Sequence, residues 1–255
     1  MILCLDVGNT QIFGGVFDND QIKTCFRYET KQGGTSDQLG IFLKSVLREN
    51  NVDADKIEQV AICSVVPSLD YSLRSACIKY FKLEPFFLEA GVKTGIHVKS
   101  NDPAKVGADL IAGAISAVHS YPKENLIVID FGTATTFAAI SSKKEFLGAS
   151  FLPGIRLSMN ALQSNAAQLN VVEILKPKHA VGRSTAECIQ SGLYYGHIGV
   201  IREMVERMTQ EVFADKPPVV IGTGGFVNLF ESENVFTAVL PNLILEGLFL
   251  ALKMN

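Results

Sequence analysis

Tryptophan is absent from the 255 residues, and histidine and cysteine are scarce, at 4 and 5. The cysteines (Cys4, Cys25, Cys63, Cys77 and Cys188) are odd in number, scattered and never spaced Cys-x-x-Cys, which excludes a disulfide framework and a zinc site. Cys4 and Cys63 lie in apolar, strand-like runs and read as small buried hydrophobes. The histidines, His97, His119, His179 and His197, are too dispersed to form a metal cluster. Charge of one sign is also missing. With 23 basic against 26 acidic side chains and no basic stripe, the chain is not built for nonspecific nucleic-acid binding. No apolar stretch reaches the roughly 20 residues of a membrane span. The N-terminus starts inside a strand-like run without a positive leader segment, so the expected location is cytoplasmic.

What the chain does have is a repeated phrase. Asp6-Val7-Gly8-Asn9-Thr10 follows the apolar run Ile2-Leu3-Cys4-Leu5, and Asp130-Phe131-Gly132-Thr133-Ala134-Thr135 follows Leu126-Ile127-Val128-Ile129. In each, a strand delivers an aspartate into a glycine turn rich in hydroxyl or amide side chains. A carboxylate at a strand end suits Mg²⁺, a hard cation usually shared between one or two carboxylates and substrate phosphates. The glycine permits a sharp turn that aims backbone N–H groups at an anion, and Asn9, Thr10, Thr133 and Thr135 add side-chain donors. One copy would be an ordinary turn; two copies after apolar strands indicate a phosphate site. A third glycine turn, Gly222-Thr223-Gly224-Gly225-Phe226, follows Val219-Val220-Ile221 and suits close approach to a flat nucleobase or sugar. Together the three describe an ATP cleft.

The rest of the pattern places these turns in an α/β chain of two similar halves. Ile12 to Phe17 reads as a second strand, Asp18-Asn19-Asp20 as a hairpin turn, and Lys23 to Tyr28 as a third strand. Ser36 is the expected cap of a helix through Leu39, Phe42, Leu43, Val46 and Leu47. A strand at Gln59 to Ser64, a helix at Tyr71 to Phe81, a strand at Pro85 to Leu88 and a helix at Pro103 to Val118 complete the first half. The second half restarts at Leu126, with strands through Ala138 to Ile140 and Phe146 to Ser150. Pro153-Gly154 then opens a helical region, with helices near Leu157 to Gln168, Thr185 to Met208, Phe226 to Phe230 and Leu243 to Leu252. No linker separates the halves, and the expected lobes are residues 1–115 and 116–255.

The three glycine turns are similar to the phosphate 1, phosphate 2 and adenosine motifs of the acetate/sugar kinase, Hsp70 and actin superfamily. Within it, Asp6 to Thr10, Val106-Gly107-Ala108-Asp109, Asp130 to Thr136, Gly148 to Gly154, Gly182-Arg183-Ser184-Thr185 and Gly222 to Gly225 resemble type III pantothenate kinases, the Bvg accessory factor-like group. The resemblance runs in order over essentially the whole chain. It implies two ribonuclease H-like lobes related by duplication, with a cleft between them, and ATP-dependent phosphorylation of pantothenate to 4′-phosphopantothenate, the first step of coenzyme A synthesis.

Roles follow from the resemblance residue by residue. Asp6, Val7, Gly8, Asn9, Thr10, Gln11, Ile12 and Phe13, with Gly132, Thr133, Gly224 and Gly225, would bind ATP and its phosphates. Asp6 would meet Mg²⁺ through those phosphates, and Asp130 a monovalent cation, K⁺ or ammonium. Ser100, Gly107, Ala108, Asp109, Leu110 and Thr185 would contact pantothenate. For Asp109 composition leaves two readings, a helix-dipole partner and a catalytic base, and the resemblance implies the base. For Thr185 a helix N-cap and a substrate contact are compatible. The family pattern usually continues Gly-Ala-Asp-Arg, with a tyrosine upstream and an asparagine nearby; this chain has Leu110, Ser100 and Gly113 instead. Lys99, Lys105 and Arg156 are the cations that could replace the arginine for the acceptor's carboxylate. Two alternatives stay open on these departures: a catalytically weakened accessory paralogue, and a kinase of the same fold for another small acceptor. Relatives imply a homodimer with the acceptor site near its interface, and the apolar stretch Leu157 to Leu169 would serve either as that surface or as internal core.

Overall fold

A computed structural model describes residues 1–31, 33–165 and 172–255. Eleven strands and seven α-helices are found among them, in two compact units of which each carries one sheet.

The first sheet begins with β1 (Ile2–Val7), β2 (Gln11–Asp18) and β3 (Gln21–Glu29), an antiparallel meander. β4 (Gln59–Ser64) then pairs parallel with β1, and β5 (Phe86–Phe87) parallel with β4, for an order of β3-β2-β1-β4-β5. Alternation along β1 sorts its side chains: Leu3, Leu5 and Val7 point to one face, Cys4 and Asp6 to the other. The first face is covered by α1 (Ser36–Glu49), through Leu39, Leu43 and Leu47, and by α2 (Pro67–Ala76), through Leu69 and Leu73. Each of these leucines is at most 4% exposed, so truncating one to alanine costs about 2–5 kcal/mol. The second face is covered by α7 (Leu243–Met254): Phe249 stacks on Phe17 at 4.3 Å, and Leu245 lies over Gly15. Where α7 passes α3 (Ala108–Ser120), a Cβ on Gly247 would sit 1.8 Å from the Ala112 carbonyl oxygen, so only glycine allows the crossing.

The second sheet contains β7 (Leu126–Phe131), β8 (Ala134–Ile140), β9 (Glu145–Pro153), β10 (Val219–Thr223), β11 (Ala238–Val239) and β6 (His97–Val98), in the order β11-β10-β7-β8-β9-β6. Read from β9 to β11 it repeats the first sheet strand for strand, with the same parallel and antiparallel pairings and β6 added at its edge. α4 (Ile155–Asn165), α5 (Thr185–Val212) and α6 (Val227–Phe230) supply its core with Met159, Ile189, Leu193, Tyr194, Ile198, Ile201 and Phe230. The duplication expected from the sequence is therefore a duplication of strand order.

Several local expectations change. Thr35, not Ser36, caps α1, because its hydroxyl accepts from Gln38 N while the Gln38 side chain returns to Thr35 N, a reciprocal capping box. The helix expected at Tyr71 starts at Pro67, whose missing N–H is harmless at the first position, and ends in a π-turn, Cys77–Phe81. Pro103–Lys105 is only a 3₁₀ turn; Val106 is extended (φ −68°, ψ 128°), and the α-helix starts afresh at Ala108. The helix expected over Leu157 to Gln168 runs over Ile155–Asn165, residues 166–168 lying outside the described residues. The contact division also differs from a single cut after residue 115. Met1–Ile96, Asn101–Ser116 and Leu243–Asn255 form one unit, and His97–Ser100 with Ala117–Asn242 the other. The reason is α7: with Leu243, Leu245 and Leu248 fully buried it is the helix that seals the second face of the first sheet.

Candidate functional site

The first glycine turn joins β1 to β2. Gly8 N donates to Gln11 O at 3.1 Å, and the residue just after β3 locks the turn from the side: Thr30 N donates to Thr10 O at 2.9 Å and Thr30 Oγ1 to Gly8 O at 2.7 Å. Asn9 and Thr10 stand exposed at its tip, whereas Ile12 and Val7 are buried in the α1-facing core, so only their backbone can meet a ligand. Asp6 is half-buried and lies in register with Phe13 on β2 and with Cys63 on β4. In-register neighbours share a sheet face, which puts Cys63, Asp6 and Phe13 in one row.

Asp109 lies in the first turn of α3. Its Oδ1 accepts from Leu110 N at 2.8 Å, a charge-assisted bond at the positive helix end. The carboxylate curls over the helix entry, so that a Cβ on Gly107 would be 2.4 Å from Oδ1 and the Asp109 side chain would have to shift to admit it. Burial pushes the carboxyl above its ordinary value, outweighing the backbone hydrogen bonds from Leu110 and its own N–H that pull it down. The Cys63 thiol is pushed well up as well, first by its own complete burial and then by the charges of Asp6 and Asp109. Both carboxylates therefore bear on one buried thiol, which the sequence identified only as a small hydrophobe. A carboxyl raised by burial at a helix start is a group whose proton affinity its surroundings have altered.

The second glycine turn joins β7 to β8, with Gly132 N donating to Ala134 O at 3.1 Å. It is backed by glycine rather than by a hydroxyl. Gly154 N donates to Thr133 O at 3.0 Å, and a Cβ on Gly154 would be 2.4 Å from that oxygen. Gly224, at φ +91°, presses on Asp130: a Cβ there would be 2.2 Å from Asp130 Oδ1 and 2.5 Å from Phe131 N. Gly225 and Thr133 are exposed beside these contacts. Thr135, expected as a ligand donor, is instead 1% exposed and shares the core face with Phe137. The second and third glycine turns thus meet at Asp130 within one unit.

Thr185 is exposed at the first position of α5, and the N-cap expected of it belongs to Ser184, whose Oγ accepts from Glu187 N at 3.3 Å. Ser100 follows edge strand β6 in the second unit, while Gly107, Ala108, Asp109 and Leu110 belong to the first. Of the cations considered for position 110's lost charge, Lys99 pairs with Glu145 at 3.3 Å and Lys105 with Asp102 at 2.8 Å; Arg156 rests over the Phe226 ring at 5.4 Å. Thr30, which fixes the first turn, stands outside the short motifs, and only its long-range hydrogen bonds mark it; Gly154, which fixes the second, ends the Gly148 to Gly154 motif. Among the described residues no group of three or more His, Cys, Asp or Glu side chains could hold a metal, and no helix is long and apolar enough to cross a membrane.

A family model described as type III pantothenate kinase matches residues 2–207. A type III pantothenate kinase of Legionella pneumophila is 56% identical over 255 residues, covering 100% of this chain and 99% of the relative. That of Elusimicrobium minutum is 49% identical, with 100% and 99% covered, and a type III pantothenate kinase 1 of Francisella tularensis is 47% identical, with 100% of both covered. Among solved structures, a Baf family protein of Campylobacter jejuni superposes with a TM-score of 0.63 at 18% identity over 98% of this chain and 97% of that one. The activator of the 2-hydroxyisocaproyl-CoA dehydratase from Clostridium difficile, with bound ADPNP, has a TM-score of 0.53 at 12% identity over 99% and 95%. These two structures speak to the fold alone.

Proposed function

The chain belongs to the type III pantothenate kinase family, and on that premise we propose that it transfers the γ-phosphoryl group of ATP to the primary hydroxyl of pantothenate, giving 4′-phosphopantothenate and ADP. The observation that carries this reading is Asp109: a sheltered carboxyl with a raised proton affinity, in the same unit as the strand-end carboxylate of the first glycine turn.

In the proposed reaction the hydroxyl oxygen of pantothenate attacks the γ-phosphorus, the bond from that phosphorus to the β,γ-bridging oxygen breaks, and Asp109 takes the hydroxyl proton. Burial is what makes Asp109 useful, because an ordinary aspartate is too weak a base near neutral pH. The turn of Gly8, Asn9 and Thr10 directs N–H and side-chain donors to the phosphate oxygens, with Val7, Gln11, Ile12 and Phe13 flanking it; Gly132 and Thr133 do the same from the second turn. Gly224 and Gly225 are assigned to the nucleoside. Ser100, Gly107, Ala108, Leu110 and Thr185 are assigned to the acceptor.

Two cations complete the proposal. Mg²⁺ suits Asp6, since a single carboxylate that shares the ion with phosphate oxygens needs no side-chain cage; bound there, the ion would offset phosphate charge. K⁺ or ammonium suits Asp130, whose carboxylate lies in a cradle of backbone that a Cβ on Gly224 would fill. A homodimer is proposed on the exposed apolar side chains Phe151, Leu157 and Leu162 of β9 and α4, and the cytoplasm as its place of work. Light scattering after size-exclusion chromatography measures the first; a monomer removes it.

A coupled ADP-release assay with ATP, pantothenate, Mg²⁺ and K⁺ or ammonium tests the activity. Turnover dependent on pantothenate is expected, and its absence would remove the assignment. The weakened-paralogue reading rests on Leu110, which stands where the family pattern has arginine. Leu110→Arg distinguishes it: a large gain in pantothenate affinity would mean that the native chain has drifted from kinase work.

A further inference from the structure

The row that holds Asp6 extends one strand beyond Phe13. Phe13 on β2 is in register with Arg27 on β3, so Cys63, Asp6, Phe13 and Arg27 cross four adjacent strands on one face of the first sheet. The next rows down this face lie under α7, where Leu245 covers Gly15 and Phe249 covers Phe17. The row of Asp6 borders the phosphate turn instead, and at its far end Arg27 is exposed.

The Arg27 guanidinium lies 4.0 Å from the centre of the Phe13 ring. That stacking occupies the face of the planar group and leaves its N–H donors, which point outward along the edge, open for a bidentate oxygen partner. Among the described residues Arg27 has no ion pair. Glu246 of α7, which together with Arg27 bears on Cys25, accepts a hydrogen bond from Ser116 Oγ at 3.2 Å through its carboxylate. Two strand spacings of about 4.8 Å put the Arg27 Cα roughly 10 Å from that of Asp6, within reach of the long side chain toward a polyphosphate lying along the row. β3 is tied to the turn three residues further on, where Thr30 binds Gly8 O and Thr10 O. The strand that carries the cation therefore also sets the shape of the turn.

We propose that Arg27 is a binding residue for the triphosphate tail, holding phosphate oxygens with the edge of a guanidinium that Phe13 keeps flat and in place. The inference rests on the proposed use of the Asp6 turn for ATP. It assigns to β3 a contact that the glycine motifs do not contain, and it explains why an exposed arginine is stacked but not paired.

The test is titration calorimetry of the full chain with ATP and Mg²⁺, and separately with adenosine, for the native protein, Arg27→Gln and Arg27→Lys. Arg27→Gln is expected to lose about ten- to a hundredfold in ATP affinity, the range for a hydrogen bond to a charged group, with adenosine binding unchanged. Arg27→Lys should recover part of the loss, because it restores the charge but not the fork. Equal losses for ATP and adenosine would mean a structural role and overturn the proposal, as would ATP affinity unchanged in Arg27→Gln. If the native chain itself binds no ATP, both this inference and the kinase reading fall. If it binds ATP and phosphorylates pantothenate while Arg27→Gln behaves normally, only the inference falls.

Discussion

The two glycine turns are the same hairpin built with different supports. In the first, a side chain does the holding: Thr30 reaches from just past the end of β3 to Gly8 O, and the added Cβ on Gly8 would stand at 3.2 Å from Gln11 O, tight but not impossible. In the second, backbone packs on backbone: Gly154 and Gly224 approach Thr133 O and Phe131 N so closely that any Cβ collides at 2.4 and 2.5 Å. A hydroxyl support can be removed atom by atom, whereas a close-packed support has no partial form. The aspartates differ in the same way. Asp6 shares its row with a buried thiol and a stacked arginine, while Asp130 is pressed by the glycine of a third turn.

The comparison sharpens first at the carboxyl that only the first unit possesses. Asp109→Asn should lower pantothenate-dependent turnover by about 10²–10⁴-fold, the usual contribution of a positioned base, and leave ATP binding measurable by calorimetry. If ATP binding disappears with it, Asp109 is a structural residue. Its titration gives a companion prediction. With the carboxyl raised by burial, the folded state keeps its proton to higher pH than the unfolded state. The group's contribution to stability is then complete below the unfolded value and lost as pH rises through the folded one. Asp109→Asn removes that loss, so its melting temperature should exceed the native one at neutral pH and the difference should narrow in acid.

Next in size are the close-packed glycines. Gly224→Ala combines a left-handed backbone with a collision on Phe131 N and Asp130, and should cost about 2–4 kcal/mol in the urea-unfolding free energy. Thr30→Val, which deletes one hydroxyl donor to the first turn, should cost about 1–2 kcal/mol and raise the KM for ATP with little change in kcat. Gly8→Ala should be the mildest, at about 1 kcal/mol or less, because only the Gln11 carbonyl must give way. Should Gly8→Ala prove as damaging as Gly224→Ala, the contrast between a hydroxyl support and a close-packed one is wrong.

Much of this was legible in the residues. The apolar runs Ile2 to Leu5 and Leu126 to Ile129, each leading through an aspartate into a glycine turn, mark the hairpins because strand composition and turn chemistry are local. Cap positions were harder: Thr35 and Ser36, or Ser184 and Thr185, are adjacent hydroxyls, and only the backbone bond each accepts tells them apart. The two-residue strands β6 and β11 carry too little pattern to be read alone and exist through the neighbours they pair with. Leu243 to Leu252 is plainly helical, yet nothing local says which sheet it covers.

By itself the amino-acid order determined the repeated strand-Asp-turn unit, the duplicated α/β plan and the family, since each depends on residues close together in the chain. Tertiary structure alone decided that Cys63 lies beside Asp6 and Arg27 beyond Phe13, that Thr30 holds the turn and that burial raises Asp109. Those facts depend on strand register and on helices brought in from far along the chain, and desolvation is a property of the assembled surroundings, not of the carboxyl group.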